Sequence, residues 1–197
     1  SGNFGNAYSA WFGRSNGLPV NKILCSTNVN DVLRRFIDGG VLEPLVTQPS
    51  VAPSMDIQIP SSLERLIFDL STEAKEFYAQ LQNSTKAELD EKSVDTLKSV
   101  FSSVTFSDEM IKTRITSLHD EFGIIFDPHT VTSVQMALDN DSSLPTVAVA
   151  TASPEKFGNV ISPLINGFTE SKIDQKEQYL TLSTENSEII EAITAFI

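Results

Sequence analysis

One cysteine, Cys25, and two histidines, His119 and His129, are all that this chain of 197 residues holds of the softer metal ligands. A lone cysteine excludes an internal disulfide, and this set makes no usual zinc site without carboxylates. No metal centre is expected, and the cysteine usage suits a reducing compartment, the cytoplasm. Basic residues are also scarce: 14 Lys and Arg stand against 26 Asp and Glu, for a formal charge of -12. Nucleic acid and anionic membrane both need basic surfaces, so neither is expected as a partner. No apolar run approaches the roughly 20 residues of a membrane helix, and the first residues do not read as a signal peptide. No internal repeat or low-complexity tract is present. What remains is 40% hydrophobic and 20% charged, the composition of a folded globular protein of one domain or a tight pair.

Apolar spacing sets out an alternation of helices and strands. A helix is expected from about Asn6 to Asn16, with Ala7/Trp11 and Tyr8/Phe12 as i,i+4 pairs, closed by Gly17. Ile23-Leu24-Cys25, within 20–27, reads as a buried strand. Asn28 to Asp31 read as the cap of a helix whose stripe is Val32, Leu33, Phe36 and Ile37, stopped at Gly39-Gly40. Prolines at 44, 49, 53 and 60 exclude long regular structure between Val41 and Pro60, although Met55 to Ile59 alternates like a short strand. Ser61 or Ser62 is expected to cap a helix through Leu63, Leu66, Ile67 and Leu70, and a second follows with Ala74, Phe77, Tyr78 and Leu81. From Asn83 to Val100 the chain turns polar, with Leu89, Val94 and Leu97 as sparse anchors of a surface helix.

Val104 to Phe106 reads as a strand, and Ser107 opens a helix through Met110, Ile111, Ile115, Leu118 and Phe122, closed by Gly123. Asp127 caps the next helix, with Pro128 in its first turn, carrying Val131, Val134, Met136, Ala137 and Leu138. Pro145 to Ala150 reads as the clearest buried strand, ending in Thr151-Ala152-Ser153 before a helix that starts at Pro154 and runs through Phe157, Val160, Ile161 and Leu164. Thr151 and Ser153 then face the ligand crevice at the end of a strand. Tyr179 to Leu182 reads as a last strand, and Glu188 to Ile197 as a last helix with Ile189, Ile190, Ile193 and Phe196 inward.

The first six residues, Ser1-Gly2-Asn3-Phe4-Gly5-Asn6, combine a glycine-bearing turn with a helix start. Gly2 and Gly5 can take positive φ and carry no Cβ, which lets backbone amides turn toward one point, where the open first-turn N–H groups and the helix dipole favour an anion. No Gly-Lys-Ser/Thr follows, which excludes the nucleotide-binding loop, and the third glycine of the dinucleotide fingerprint is absent. An ordinary loop and cap would read the same way. No strand precedes residue 1, although phosphate turns of this type follow a strand, so the chain is expected to be cut from a longer one.

Five segments at element junctions decide between these readings: Ser1 to Asn6, Ser26 to Phe36, Pro53 to Ile57, Asp127 to Thr130, and Ala150 to Phe157. In this order they closely resemble the C-terminal half of the threonine synthase family, most strongly from residue 1 to about 70 and thinly between about 72 and 105. The resemblance implies the tryptophan synthase β-like fold of pyridoxal phosphate (PLP) enzymes: an α/β, three-layer open sheet with helices on both faces, of which this chain is a portion. It implies part of the PLP-binding domain in 1–82 and a C-terminal α/β region completing the cofactor site in 83–197. The implied reaction is the lyase conversion of O-phospho-L-homoserine and water to L-threonine and phosphate.

Carried over residue by residue, the resemblance assigns Gly2, Asn3, Phe4, Gly5 and Asn6 to the cofactor phosphate, and Thr151 to the pyridine nitrogen. A neutral hydroxyl there leaves that nitrogen largely unprotonated. Family members often have histidine where this chain has Ser153, so no role is assigned to that position. The Schiff-base lysine of the family lies in its N-terminal half. None of Lys22, Lys75, Lys86, Lys92, Lys98, Lys112, Lys156, Lys172 and Lys176 stands in a comparable motif. No catalytic residue is therefore assigned, and the chain alone is expected to be inactive. Self-association through apolar surface is expected. Two alternatives stay open: another PLP enzyme of the same fold, against which the segments at 28–36 and 53–57 speak, and a non-catalytic phosphate- or PLP-binding or interaction module. Asn28, Asn30 and Asp31 fit an active-site mouth or a helix cap. Met55 fits packing, His129 fits an acid–base role or a helix-start hydrogen bond, Lys156 fits a solvated face, and Cys25 fits a buried core.

Overall fold

The computed structural model describes residues 1–71, 73–169, 183 and 185–196, with the backbone alone at Ile193 and Phe196. At its centre β1 (Ile23–Thr27) lies parallel to β4 (Phe101–Thr105), with Ile23 opposite Phe101 and Thr27 opposite Thr105. Successive side chains of a strand point to opposite faces, and here each face feeds its own core. Ile23, Cys25 and Phe101 enter one cluster with Phe36, Leu63, Leu66, Ile67 and Leu97, while Leu24 packs on the other, built from Ile111, Ile115, Leu118, Val131 and Ile161. Helices α1 (Gly5–Ser15), α2 (Val32–Gly39) and α5 (Glu91–Val100) pack on the strands together with the first cluster, and α7 (Thr130–Leu138) packs on β1 together with the second. The result is the three-layer α/β arrangement, with helices on both faces of a parallel sheet.

Local chemistry explains most element limits. The stripe of α2 is fully buried through Val32, Leu33, Phe36 and Ile37, each such side chain contributing about 1.5–3 kcal/mol. The helix stops where Gly40 takes φ 72°. Between α2 and α5 lie β2 (Val41–Leu42), which pairs antiparallel with β3 (Ala87–Glu88), and helices α3 (Leu63–Leu70) and α4 (Ala74–Ser84). Asp90 caps α5 by accepting from the Ser93 amide at 2.9 Å. Ser107 caps α6 (Asp108–Phe122) by accepting from the Met110 amide at 3.2 Å. The chain closes with α8 (Gly158–Ile161) and α9 (Asn186–Phe196).

Several expectations fail for identifiable reasons. Residues 145–150 form no strand among the described residues and are exposed, Val147 to 85%. The apolar pattern is that of a buried strand, but no described segment offers its backbone a ladder. Pro154 opens a 3-10 turn, Pro154–Phe157, and only the four-residue α8 follows. Met55 to Ile59 is not a strand either, since Pro53 starts a 3-10 turn, Pro53–Met55. The side chains of Ser62 and Asp31 occupy cap positions without accepting a capping hydrogen bond. Met110, Phe122, Leu138 and Ile190 lie on exposed faces of their helices. The expected strand at 179–182 lies outside the described residues.

Candidate functional site

Parallel strands deliver their C-terminal ends to one side of the molecule, and the five segments collect there. The Ser1–Asn6 turn leads into α1 with Phe4, not a glycine, in the left-handed region at φ 69°. Gly2 and Gly5 do not use their freedom to take positive φ. The strained residue is held because its ring is buried, 1% exposed, against Phe101 at 5.6 Å between centroids. Gly2 is required for another reason: a Cβ there would stand 2.3 Å from the Ser54 carbonyl oxygen and 3.2 Å from Met55 Cα. Asn3 is fixed by two amides of the next segment, Ser62 donating to its carbonyl at 3.0 Å and Ser61 to its Oδ1 at 3.2 Å. Gly5 and Asn6 are exposed in the first turn of α1. That turn holds no acidic residue and no side-chain cap, so its amides and the positive end of the helix dipole remain open to an anion.

The proline-bounded segment behind the turn is pinned by a polar hub at the end of β1. Asn28, 0% exposed, donates through Nδ2 to Asp56 Oδ1 at 2.6 Å and to Ser50 Oγ at 2.7 Å. Asn30 donates to Asp56 Oδ1 at 3.0 Å and to the Gln48 carbonyl at 2.8 Å, while its own amide donates to Asn28 Oδ1 at 2.9 Å. The Asp56 carboxylate also accepts the Ser50 amide at 3.0 Å. These contacts place Asn28 and Asn30 in the scaffold of the 48–56 loop. Asp31 pairs with Arg34 and Arg35 on its own helix. Met55 is buried in the second core.

A third group links this loop to Thr151. Ser54 donates its amide to His129 Nε2 at 3.1 Å, and His129 Nδ1 lies 2.8 Å from Asp127 Oδ1. Asp127 also accepts the amides of His129 at 2.9 Å and Thr130 at 3.3 Å, capping α7 as expected. Burial alone would raise the Asp127 carboxyl, but the hydrogen bonds from His129 and Thr130 outweigh it and hold the group below the usual carboxylate range. Thr130 Oγ1 accepts the Thr151 amide at 3.1 Å. Thr151 and Ser153 are exposed, as is Lys156. Burial pushes the Cys25 thiol up to about 11, so it stays protonated and inert at neutral pH. His119 stands 3.6 Å from Asp120, on α6, away from these contacts.

No family model matches the chain. It is, however, 34% identical to the threonine synthase of Pseudomonas aeruginosa over 167 residues, 82% of this chain and 36% of that protein. The threonine synthase of Saccharomyces cerevisiae is 29% identical over 210 residues, 93% of this chain. In structure, the PLP-bound threonine synthase from Brucella melitensis superposes with a TM-score of 0.83 at 27% identity, over 99% of this chain and 44% of that one. Over most of its own length the chain is similar to a portion of threonine synthase. It spans about two fifths of the length of the threonine synthases it matches, 36% and 41% for the two named sequences.

Three contacts between the segments are long-range. The seat of Gly2 on Ser54, the Ser54–His129 hydrogen bond and the Thr151–Thr130 hydrogen bond join residues 52, 75 and 21 positions apart. The only local signal for any of them was the presence of the motifs themselves.

Proposed function

We propose that this chain supplies the phosphate-holding turn and the ring-nitrogen partner of a PLP site in an enzyme that converts O-phospho-L-homoserine and water to L-threonine and phosphate. The observation that carries the reading is the start of α1: an uncapped helix end without acidic residues, fed by a turn whose Gly2 is seated against the Ser54 carbonyl. A dianionic phosphate fits that end, bound mainly by the backbone amides of the turn, with Gly2, Asn3, Phe4, Gly5 and Asn6 as its frame. Thr151 offers a hydroxyl that makes no hydrogen bond among the described residues, and a neutral donor suits a pyridine nitrogen. When bound, PLP supplies the electron sink that makes protons on substrate carbons removable. The chain's own residues bind and orient.

The proton-shuttling lysine lies, in this reading, in a part of the enzyme outside this chain. Lys22 donates to the Lys98 carbonyl and precedes β1 at the end opposite the site, and Lys86 pairs with Glu88. The chain on its own accordingly binds without turnover. In this reading residues 1–82 form part of the PLP-binding domain, and residues 83–197 are the C-terminal α/β region that completes the cofactor site. Among the described residues no helix is long and apolar enough to cross a membrane, and a single cysteine, which can form no internal disulfide, suits a cytoplasmic setting. The exposed Leu144, Val147 and Val149 support self-association of the isolated chain.

Calorimetry tests the reading with three probes. PLP and inorganic phosphate bind and pyridoxal, which lacks the phosphate, does not; binding of pyridoxal as tight as that of PLP overturns it. Borohydride reduction in the presence of PLP labels no single lysine, and stoichiometric labelling of one lysine of this chain contradicts the assignment of that residue elsewhere.

A further inference from the structure

His129 sits where three pieces of chain meet: the 3-10 turn Pro53–Met55, the start of α7, and the turn Pro154–Phe157, whose Phe157 ring lies 4.7 Å from the imidazole. The residue is 7% exposed. An amide N–H cannot donate to a protonated ring nitrogen, so the Ser54 contact assigns Nε2 as the bare acceptor. The remaining ring proton is then on Nδ1, donated to Asp127 Oδ1 at 2.8 Å. Both nitrogens are engaged, which leaves the ring no free edge for proton transfer to a ligand.

What the ring does instead follows from its two neighbours. Ser54 is gripped at its amide by His129, and its carbonyl is the wall against which Gly2 rests. Thr130, next to His129 and capped by the same Asp127, fixes the Thr151 amide. The contacts therefore run without a gap from Gly2 through Ser54, His129 and Thr130 to Thr151. A ligand held by phosphate at one end and by a ring nitrogen at the other needs those two points at a fixed separation, because displacements of about 1 Å are costly. We propose that His129, held in its Nδ1–H form by Asp127, is a positioning residue that sets the spacing between the phosphate-holding turn and Thr151; this rests on the reading of the turn given above.

The test uses the 15N-labelled 197-residue chain. Imidazole 15N correlations report the neutral tautomer with the proton on Nδ1, and a proton on Nε2 overturns the proposal without any mutation. His129→Phe speeds hydrogen exchange of the Ser54 amide by at least about tenfold, the loss of one buried hydrogen bond. It also moves the amide signals of Gly5 and Thr151 together. His129→Gln, whose Oε1 can accept from Ser54, restores most of this. A folded His129→Phe chain, with core signals such as Phe36 and Leu97 unchanged and Gly5 and Thr151 unmoved, contradicts the proposal. If phosphate fails to bind the unmutated chain while these couplings hold, the positioning role is supported and the reading of the turn fails.

Discussion

The Ser1–Asn6 turn and residues 144–151 are the two ends of the proposed site, and they are held very differently. The turn is clamped by the Phe4–Phe101 contact, by two amides on Asn3 and by the Ser54 wall. The later segment is tied by the Asn140–Thr146, Ser133–Val149 and Thr151–Thr130 hydrogen bonds, and Leu144, Val147 and Val149 are all more than half exposed. The anion end of the site is thus preorganised by contacts within this chain. The ring-nitrogen end has its last residue anchored by its amide, and the stretch before it is held by two side-chain hydrogen bonds with no strand beside it among the described residues. Preorganisation lowers the cost of ordering on binding, so in the proposed reading the phosphate-holding turn is ready within this chain, while Thr151 is held through its amide alone.

Breaking the better-held end has the largest effect. Asn28→Ala removes the donor to Asp56 and Ser50 and leaves a carboxylate short of partners, costing about 3 kcal/mol in urea unfolding. Gly2→Ala forces the turn off the Ser54 carbonyl, lowering stability by about 2 kcal/mol and phosphate affinity by more than tenfold. Acid titration probes the link between the two ends. Because Asp127 is held below the usual carboxylate range, its contribution is fully present above the unfolded value of about 3.9. It is lost as the pH falls through the lower folded value, so α7 and the Thr151 contact loosen only in strong acid. The smallest effect sharpens the contrast: Val147→Asp, at an 85% exposed position, changes stability by less than about 0.5 kcal/mol. The same variant weakens self-association in sedimentation.

Legibility in the sequence followed the range of the interactions. Asp127 capping α7 and the buried stripe of α2 were readable because partner and periodicity lie within a few residues. The alternating core of Ile23, Leu24 and Cys25 was readable as a strand for the same reason. The stretch at 145–150 carried an equally clear apolar pattern, yet pattern specifies which faces are greasy and not which strand lies alongside. Met55 to Ile59 lost its alternation to the proline at 53. The Ser1–Asn6 turn was legible as a motif, but its mechanics were not. The left-handed residue is Phe4, held by a ring 97 positions away, and Gly2 is demanded by a carbonyl 52 positions away. Asn28 and Asn30 read equally as an active-site mouth or as helix caps, and their side chains fasten a loop to Asp56, a long-range contact that no local pattern marks.

The most direct test of the anion site is a substitution that separates stability from binding. Asn6 is exposed in the open first turn of α1, where an added carboxylate complements the helix dipole. Asn6→Asp is therefore expected to raise stability by about 0.5 kcal/mol. The same charge repels a bound anion, so NMR titration with inorganic phosphate shifts the Gly5, Asn6 and Ala7 amides in the unmutated chain and needs at least tenfold more phosphate in the variant. Phosphate binding that is unchanged by Asn6→Asp, or that shifts amides elsewhere and leaves these still, contradicts the account.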